Sequence, residues 1–235
     1  MVLRAVIGPV STRPPTAPNR HFGRAGVGYP RAVVLTVGFD LDMTLVDSRA
    51  GIVATLQHTL ARYAVSVAED ELWPHIGHPL PATLAAYLPE ALVQEAIDAY
   101  RAEYLNSAVR VTTAFPGAAE SLAAIRRAGG RVVVVSAKHA PAVHAVLAQV
   151  GLAADEVVGD LFGHDKASAL AEHGVDVYVG DHVGDMQGAV AAGAQAVAVL
   201  TGPSDRASLE EAGATVILDS LSAFPAWLSS RPLGG

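Results

Sequence analysis

From residue 32 onward, apolar runs alternate with amphipathic stretches. The apolar runs are rich in β-branched residues and end at polar or glycine positions, and they cover 32–39, 131–135, 175–179, 195–200 and 215–218. Runs of this length with no polar alternation are typical of strands covered on both faces, as in a parallel sheet.

Helical patterns separate these strands and span 117–128, 140–150, 186–192 and 204–212. The first follows Pro116 and closes on Gly129-Gly130, which is favourable chemistry for starting and stopping a helix. Strands and helices that alternate with short connections predict an α/β fold with a doubly wound parallel sheet.

Residues 50–113 break the alternation because they show helical patterns only, at 51–63, near Glu69, at 81–88 and at 90–106. We therefore predict a small all-helical cap domain at 50–113, inserted after the first strand. The catalytic core is then formed by 32–49 and 114–235.

Residues 1–31 differ in composition, being rich in proline and arginine with no acidic residue before Asp40. We predict a disordered leader here; a basic arm that binds a partner and a targeting segment are the alternatives.

The whole-chain composition excludes several classes of protein. A hydrophobic content of 51% and a charged content of 17% predict a folded globular protein. The net charge of -7 argues against a nucleic-acid-binding surface, and the absence of cysteine excludes disulfides and thiolate metal sites. No apolar run reaches the roughly 18 residues of a membrane span, so we expect no membrane partner and a cytoplasmic protein.

Two pairs of carboxylates follow predicted strands: Asp40 with Asp42, and Asp181 with Asp185. Because ligands of an open parallel sheet bind at the carboxyl ends of its strands, we expect these pairs to converge. Buried like charges repel each other, and a hard cation such as Mg²⁺ resolves that conflict. Either pair alone could instead form an Asx turn or a helix cap.

Ser136 and Lys166 complete a candidate phosphate site. The Ser136 hydroxyl, with the backbone N–H groups that start at Ala137, can bind a phosphate oxygen, although a serine here could also cap a helix. A carboxylate that attacks a phosphate dianion meets repulsion of roughly 4 kcal/mol per charge pair at 4 Å and a dielectric of about 20. A cation and the Lys166 ammonium would offset it, although a lysine here could also be a solvated helix start.

Together these residues resemble the four motifs of the haloacid dehalogenase-like hydrolase superfamily, over about residues 33–220. The matching set, in order, is Asp40-Leu41-Asp42-Met43-Thr44-Leu45, Ser136, Lys166, and Asp181 with Asp185. Phe115-Pro116-Gly117 resembles the phosphoglycolate phosphatase-like branch, and the helical insertion is similar to the type 1 cap of that branch.

The resemblance implies roles for the catalytic residues. Asp40 would attack phosphorus and form an aspartyl-phosphate. Asp42 would protonate the leaving oxygen and then activate water, while Lys166 would neutralise Asp40 and the phosphate. The dehalogenases of the family lack a second aspartate, so Asp42 indicates phosphoryl chemistry.

The resemblance also implies binding roles. Thr44, Ser136 and the backbone at Ala137 would hold the phosphoryl group. The Mg²⁺ ligands would be Asp40, the backbone carbonyl of Asp42, Asp181 and Asp185, with either of the last two binding directly or through water.

Three positions depart from the usual family pattern and bear on substrate preference: Met43 replaces a glycine, Ala167 a proline, and Ala137 a polar neighbour. Specificity is expected from the predicted cap between Trp73 and Leu80. His75 and His78 there could face the substrate, lie in a surface loop or form a metal pair. Lys138 and His139 are candidates for the entrance.

The sequence thus predicts a Mg²⁺-dependent phosphatase that hydrolyses a small phosphorylated metabolite, of the phosphoglycolate or sugar phosphate class. A phosphomutase on the same scaffold and a non-catalytic protein that binds a phosphate ligand or a partner are the alternatives. The oligomeric state stays open, with a homodimer as one option.

Overall fold

The computed structural model describes residues 34–231, so the predicted leader at 1–31 lies outside the described residues. The strands, in chain order, are β1 Thr36–Phe39, β2 Val46–Asp47, β3 Thr113–Ala114, β4 Arg131–Val135, β5 Glu156–Val158, β6 Val177–Gly180, β7 Gln195–Val199 and β8 Val216–Leu218. Six of them form a parallel sheet in the order β5-β4-β1-β6-β7-β8, and β2 pairs with β3 in a separate antiparallel ladder.

The α-helices are α1 Arg49–Ala61, α2 Glu69–Leu72, α3 Leu80–Ala85, α4 Glu90–Glu103, α5 Val109–Val111, α6 Ala118–Arg127, α7 Ala140–Val150, α8 Lys166–Glu172, α9 Val183–Ala192, α10 Arg206–Glu211 and α11 Phe224–Ser230. Short 3₁₀ turns occupy Trp73–His75, Gly163–Asp165 and Leu221–Ala223, and a π-helical turn at Tyr104–Ala108 continues α4.

Alternate side chains of the sheet enter two separate hydrophobic clusters. In β4, Val132 and Val134 belong to one cluster, whereas Val133 and Val135 belong to the other. Because side chains of a strand point alternately to opposite faces, the sheet is covered on both sides. The predicted α/β fold with a doubly wound parallel sheet is confirmed.

Each of the five predicted strands is present, with ends shifted by a few residues. Strand β5 was not predicted, because this three-residue edge strand begins with an exposed glutamate and is only half-buried. Helix α11 was also missed, although its Phe224 is fully buried against Phe39 of β1 with ring centroids 5.5 Å apart.

Helices α1 to α5 fill the interval that the sequence marked as helical. The chain leaves the sheet through β2 and returns through β3, and the antiparallel pairing of Val46 with Ala114 brings the two ends of the interval together. The interval buries Leu56, Leu60 and Ala96 in the same large cluster as β1. Its separation as a cap domain at 50–113 stays a proposal.

Within residues 34–231, no helix combines the length and the apolar character that a membrane crossing requires.

The Phe39–Phe224 contact generates a stability prediction. Phe224→Ala should lower the free energy of unfolding by roughly 3–5 kcal/mol, because it leaves a cavity beneath the central strand. Urea unfolding measures the loss, and Ser229→Ala on the exposed side of α11 is the matched control. A loss below about 1 kcal/mol, as for a surface substitution, would contradict the packing role of α11.

Candidate active site

The three central strands of the sheet bring the candidate residues to one edge. Strand β1 lies between β4 and β6, and Asp40, Ser136 and Asp181 directly follow these three strands. The Asp40 N–H donates to the carbonyl of Val179 at 2.9 Å, which extends the β1–β6 ladder by one step. All three side chains are buried, with 5% exposure or less.

Lys166 lies at the centre of this edge and is 2% exposed. Its ammonium donates to Asp40 Oδ1 at 2.8 Å and to Asp185 Oδ1 at 2.6 Å. Its third partner is the hydroxyl oxygen of Tyr178 at 2.9 Å. Burial lowers the pKa of this ammonium, but the adjacent carboxylates outweigh burial and hold the pKa well above its ordinary value.

Tyr178 is a functional neighbour that sequence reasoning missed, because it lies within the apolar run of β6. Its hydroxyl donates to the carbonyl of Val135 at 2.5 Å, which leaves an oxygen lone pair for Lys166. The ring fits because Gly38 faces it across the β1–β6 ladder: a Cβ at Gly38 would lie 2.7 Å from the ring. The signal available in the sequence was a tyrosine, whose hydroxyl is polar, within the predicted strand at 175–179.

Asp40, Asp181 and Asp185 form a buried carboxylate triad whose oxygens lie within 4.8 Å of one another. Burial raises the pKa of Asp40 to about 7 and raises that of Asp181 well above its ordinary value. One ammonium faces three carboxylates, so their joint ionisation leaves uncompensated negative charge. Oxygen ligands in this arrangement fit a hard divalent cation.

Close backbone approaches and hydrogen bonds fix the triad. A Cβ at Gly202 would lie 1.7 Å from Asp181 Oδ2, and one at Gly180 would lie 2.4 Å from the Asp185 carboxyl carbon. Only glycine fits at either position. Asp181 Oδ1 also accepts a hydrogen bond of 2.7 Å from the hydroxyl of Thr44.

Asp185 lies in the first turn of α9, one residue before the helical pattern predicted at 186–192. His182 caps this helix, because its Nδ1 accepts from the N–H of Gly184 at 3.0 Å. The His182 N–H in turn donates to Asp185 Oδ2 at 3.1 Å. His182 thus positions Asp185.

Asp42 lies two residues beyond Asp40 and is 7% exposed. Its Oδ2 is 3.1 Å from the ammonium of Lys138, and its Oδ1 is buried with no hydrogen-bond partner among the described residues. The same ammonium lies 3.9 Å from the ring centroid of Tyr104. Lys138 therefore joins the loop after β4 to the helical insertion.

Met43, which replaces the usual glycine, has a φ of 60° and 4% exposure. A non-glycine residue in this left-handed region costs about 1–2 kcal/mol. Its backbone oxygen accepts from the hydroxyl of Thr201 at 2.5 Å and its N–H donates to the carbonyl of Val46 at 2.9 Å. These bonds hold the turn between Asp42 and Thr44 in its strained conformation.

A cavity of about 220 Å³ opens above Asp40 and Asp42, between the sheet edge and the helical insertion. Its walls include Ser136, Ala137 and Lys138 on one side, together with residues 75–81 of the insertion. His139 and Arg101 also line it, and both contact the carboxylate of Asp160 at 3.0 Å.

The structure therefore brings most of the sequence-derived site residues together, but not all of them face the cavity. Asp40, Asp42, Ser136 and Ala137 line it, whereas Lys166, Asp181 and Asp185 lie behind Asp40. Thr44 is fully buried and its hydroxyl is directed to Asp181, so its contact with a phosphoryl group stays a prediction.

His75 and His78 both line the cavity. The ring of His78 packs edge-on against His182 at 4.8 Å between centroids, and burial lowers the pKa of both imidazoles. Among the described residues, the compact group of side chains able to ligate a metal is the carboxylate triad, and it contains no histidine. The histidines therefore contribute a wall of the cavity.

Comparisons with known proteins agree with this geometry. The family model described as haloacid dehalogenase-like hydrolase matches residues 37–199. The phosphoglycolate phosphatase of Caulobacter vibrioides is 32% identical over 215 residues, covering 81% of this chain and 89% of that protein. A haloacid dehalogenase-like hydrolase from Streptococcus pneumoniae shares the fold, with a TM-score of 0.75, 23% identity, and 83% and 98% of the two chains covered.

The tyrosine-protein kinase PtkA of Mycobacterium tuberculosis is 33% identical over 193 residues, which covers 76% of this chain. The match spans 66% of PtkA, slightly less than two thirds of its length.

The expected family membership is confirmed by the family match together with the phosphoglycolate phosphatase relatives. The chain belongs to the haloacid dehalogenase-like hydrolase family, in the branch that contains the phosphoglycolate phosphatases.

Proposed function

We propose that this protein is a Mg²⁺-dependent phosphatase that hydrolyses a small phosphorylated metabolite through an aspartyl-phosphate on Asp40. The observation that carries the proposal is the Asp40–Lys166–Asp185 ion network, whose Asp40 lines a cavity that Asp42 also lines. The nucleophile Asp40 and the acid/base group Asp42 are two residues apart, and the ammonium of Lys166 lies at the same sheet edge.

The position of Asp40 supports its role as the nucleophile. Lys166 holds one of its carboxylate oxygens, and Asp40 lines the cavity. Lys166 holds Oδ1, so Oδ2 is the oxygen directed to attack. A bond forms between this oxygen and phosphorus while the ester P–O bond breaks, and Asp42 donates a proton to the leaving oxygen. Asp42 then takes a proton from water as the water oxygen attacks phosphorus, which releases phosphate and regenerates Asp40.

The residues that would hold Mg²⁺ are Asp40, the backbone carbonyl of Asp42, Asp181 and Asp185, and the bound ion would offset the charge of the phosphoryl group. Both Asp185 oxygens already accept protein hydrogen bonds, from Lys166 and from the His182 N–H. Asp181 has one oxygen without such a bond. We therefore assign Asp181 as the direct ligand and Asp185 as the one that acts through water.

The phosphoryl group would be held by Ser136 and the backbone N–H of Ala137, which line the cavity beside Asp40. Thr44 would act indirectly by holding Asp181, because its hydroxyl donates to Asp181 Oδ1. Preorganised donors of this kind stabilise charge that develops on the equatorial oxygens.

The cavity limits the leaving group. A volume of about 220 Å³ is below the roughly 300–1,000 Å³ of sites for drug-sized ligands. Between the two predicted classes, this size favours a compact ester such as phosphoglycolate over a sugar phosphate.

The name of the PtkA relatives suggests a protein tyrosine as an alternative phosphoryl acceptor. Their 33% identity to this chain is the observation that favours it. The chain covers 89% of the Caulobacter vibrioides phosphoglycolate phosphatase but 66% of PtkA, which favours a phosphatase reaction. We therefore propose that water accepts the phosphoryl group. Transfer to another hydroxyl, as in a phosphomutase, or to a tyrosine, as in a kinase, is the competing outcome.

Asp40→Asn should lower Mg²⁺-dependent hydrolysis of p-nitrophenyl phosphate about 10³-fold or more, because it removes the nucleophile. The release of p-nitrophenol measures this, and Asp219→Asn is the control, since the Asp219 side chain is 92% exposed. Turnover by Asp40→Asn at the wild-type rate would refute the mechanism.

The Mg²⁺ dependence of the melting temperature should increase with pH. In the metal-free protein the pKa of Asp40 is raised to about 7 by burial, so its contribution to stability is present at low pH and is lost as pH rises through about 7. Mg²⁺ requires the ionised carboxylate and should therefore raise the melting temperature more at about pH 8 than at about pH 6.

Thermal unfolding with Mg²⁺ and with EDTA measures this difference. Asp181→Asn should reduce the Mg²⁺ shift and Asp219→Asn should not. An equal Mg²⁺ shift in wild type and Asp181→Asn would contradict the assignment of Asp181 as a direct ligand.

Free phosphate should account for all of the phosphate ester that the enzyme consumes. Phosphorus NMR in ¹⁸O-labelled water should show label in the released phosphate, because water attacks phosphorus in the second step. An isomeric ester as the main product would establish a mutase. Transfer from ATP to a tyrosine peptide, absent in Asp40→Asn, would establish a kinase instead.

A further inference from the structure

The sequence contains two lysines among its 16 basic residues, and both lie in this site. Lys166 contacts Asp40, whereas Lys138 contacts Asp42. Both side chains are buried, at 2% and 8% exposure. The two ammonium groups differ in how many of their N–H donors have an acceptor.

All three N–H donors of Lys166 have oxygen acceptors: Asp40 at 2.8 Å, Asp185 at 2.6 Å and Tyr178 at 2.9 Å. Lys166 also does not form part of the cavity wall. It therefore has no capacity to bind a further group of a substrate.

Lys138 has one carboxylate partner, Asp42 Oδ2 at 3.1 Å, and on another side it faces the ring of Tyr104. It lines the cavity. An ammonium has three donors, and a buried charge without enough partners carries a desolvation cost. The part of Lys138 that faces the cavity can thus take an additional anionic acceptor.

The other cation in the wall is less suited to this role. Arg101 is 36% exposed and donates to Asp160 at 3.0 Å, so its charge is compensated at the rim of the cavity. Lys138 is more deeply buried and lies next to Asp42, the residue placed to contact the leaving oxygen. A carboxylate attached one or two carbons from that oxygen would fall beside the Lys138 ammonium.

We propose, building on the phosphatase function above, that Lys138 is a specificity-determining residue that binds a carboxylate on the leaving group. The cavity of about 220 Å³ favours small members of this class, the phosphate esters of two- or three-carbon hydroxy acids. Lys138 bridges Asp42 and the substrate carboxylate, which directs the leaving oxygen toward Asp42.

Three esters of equal chain length test the proposal: 2-phosphoglycolate, 2-hydroxyethyl phosphate and phosphoethanolamine, whose leaving groups carry negative, zero and positive charge. Wild type should show the highest kcat/KM for the anionic ester and the lowest for the cationic one. Lys138→Met should lower the ratio of kcat/KM for phosphoglycolate over hydroxyethyl phosphate by about 30-fold, on the scale of a charge-assisted hydrogen bond. Lys138→Arg should recover part of the ratio.

The ratio separates substrate selection from any general effect of Lys138 on Asp42 or on folding, because such an effect lowers both rates together. Arg131→Met is the matched control: it removes an exposed cation at the opposite end of β4 and should leave the ratio at the wild-type value. An unchanged ratio in Lys138→Met, or a ratio lost only in Arg101→Met, would overturn the proposal.

Binding supplies an independent readout. Lysine-selective ¹³Cε labelling should give two signals, and Lys138→Met identifies the signal of Lys138. In the Asp40→Asn variant with Mg²⁺, phosphoglycolate should shift the Lys138 signal more than hydroxyethyl phosphate does. Equal shifts would contradict the proposal.

The two hypotheses fail in different ways. Hydrolysis of all three esters without preference refutes the role of Lys138 and leaves the phosphatase function intact. Absence of hydrolysis for all three esters and for p-nitrophenyl phosphate refutes the phosphatase function, and the Lys138 signal then still decides whether the carboxylate is bound.

Discussion

The ion network around Lys166 is the constraint on which the rest of the site depends. Three carboxylates at a buried sheet edge repel one another, and one ammonium offsets only part of that repulsion. The surrounding chain is shaped to keep the network in place. Gly38 makes room for the Tyr178 ring, and Gly202 lets the backbone approach Asp181 closely. The remaining negative charge is the physical reason to expect a divalent cation.

Two of the three described non-glycine residues with a positive φ lie at the cavity. Met43 and Asp160 both have a φ of 60°; Met43 directly follows Asp42, and Asp160 lines the cavity itself. Such strain persists where surrounding hydrogen bonds over-determine the conformation, and it is often found at functional sites. Thr201 supplies that bond at Met43, while the side chain of Asp160 ties Arg101 to His139. The turn that carries Asp42 is thus held rigidly although its residue type is unfavourable.

The sequence could predict the sheet and the residues at its edge for a specific physical reason. Strand runs such as 131–135 are apolar on both faces, and a polar residue at the end of such a run is conspicuous. Ser136 and Asp181 were found in this way. Contacts between distant segments leave no such pattern, so the Lys138–Tyr104 contact and the Tyr178 hydroxyl required three-dimensional structure. Strand β5 was missed because three half-buried residues are too few to show a period.

The difference between residues at strand ends and contacts between distant segments also explains why the sequence predicts the reaction better than the substrate. Groups that would perform the chemistry come from the ends of adjacent strands, whose convergence follows from parallel topology. Groups that would contact the leaving group come from both sides of the cavity: Lys138 from the loop after β4, and Tyr104 from the helical insertion. Their juxtaposition depends on how the insertion packs on the core. A residue beside Ser136 in sequence can therefore act in substrate selection while Ser136 itself serves the phosphoryl group.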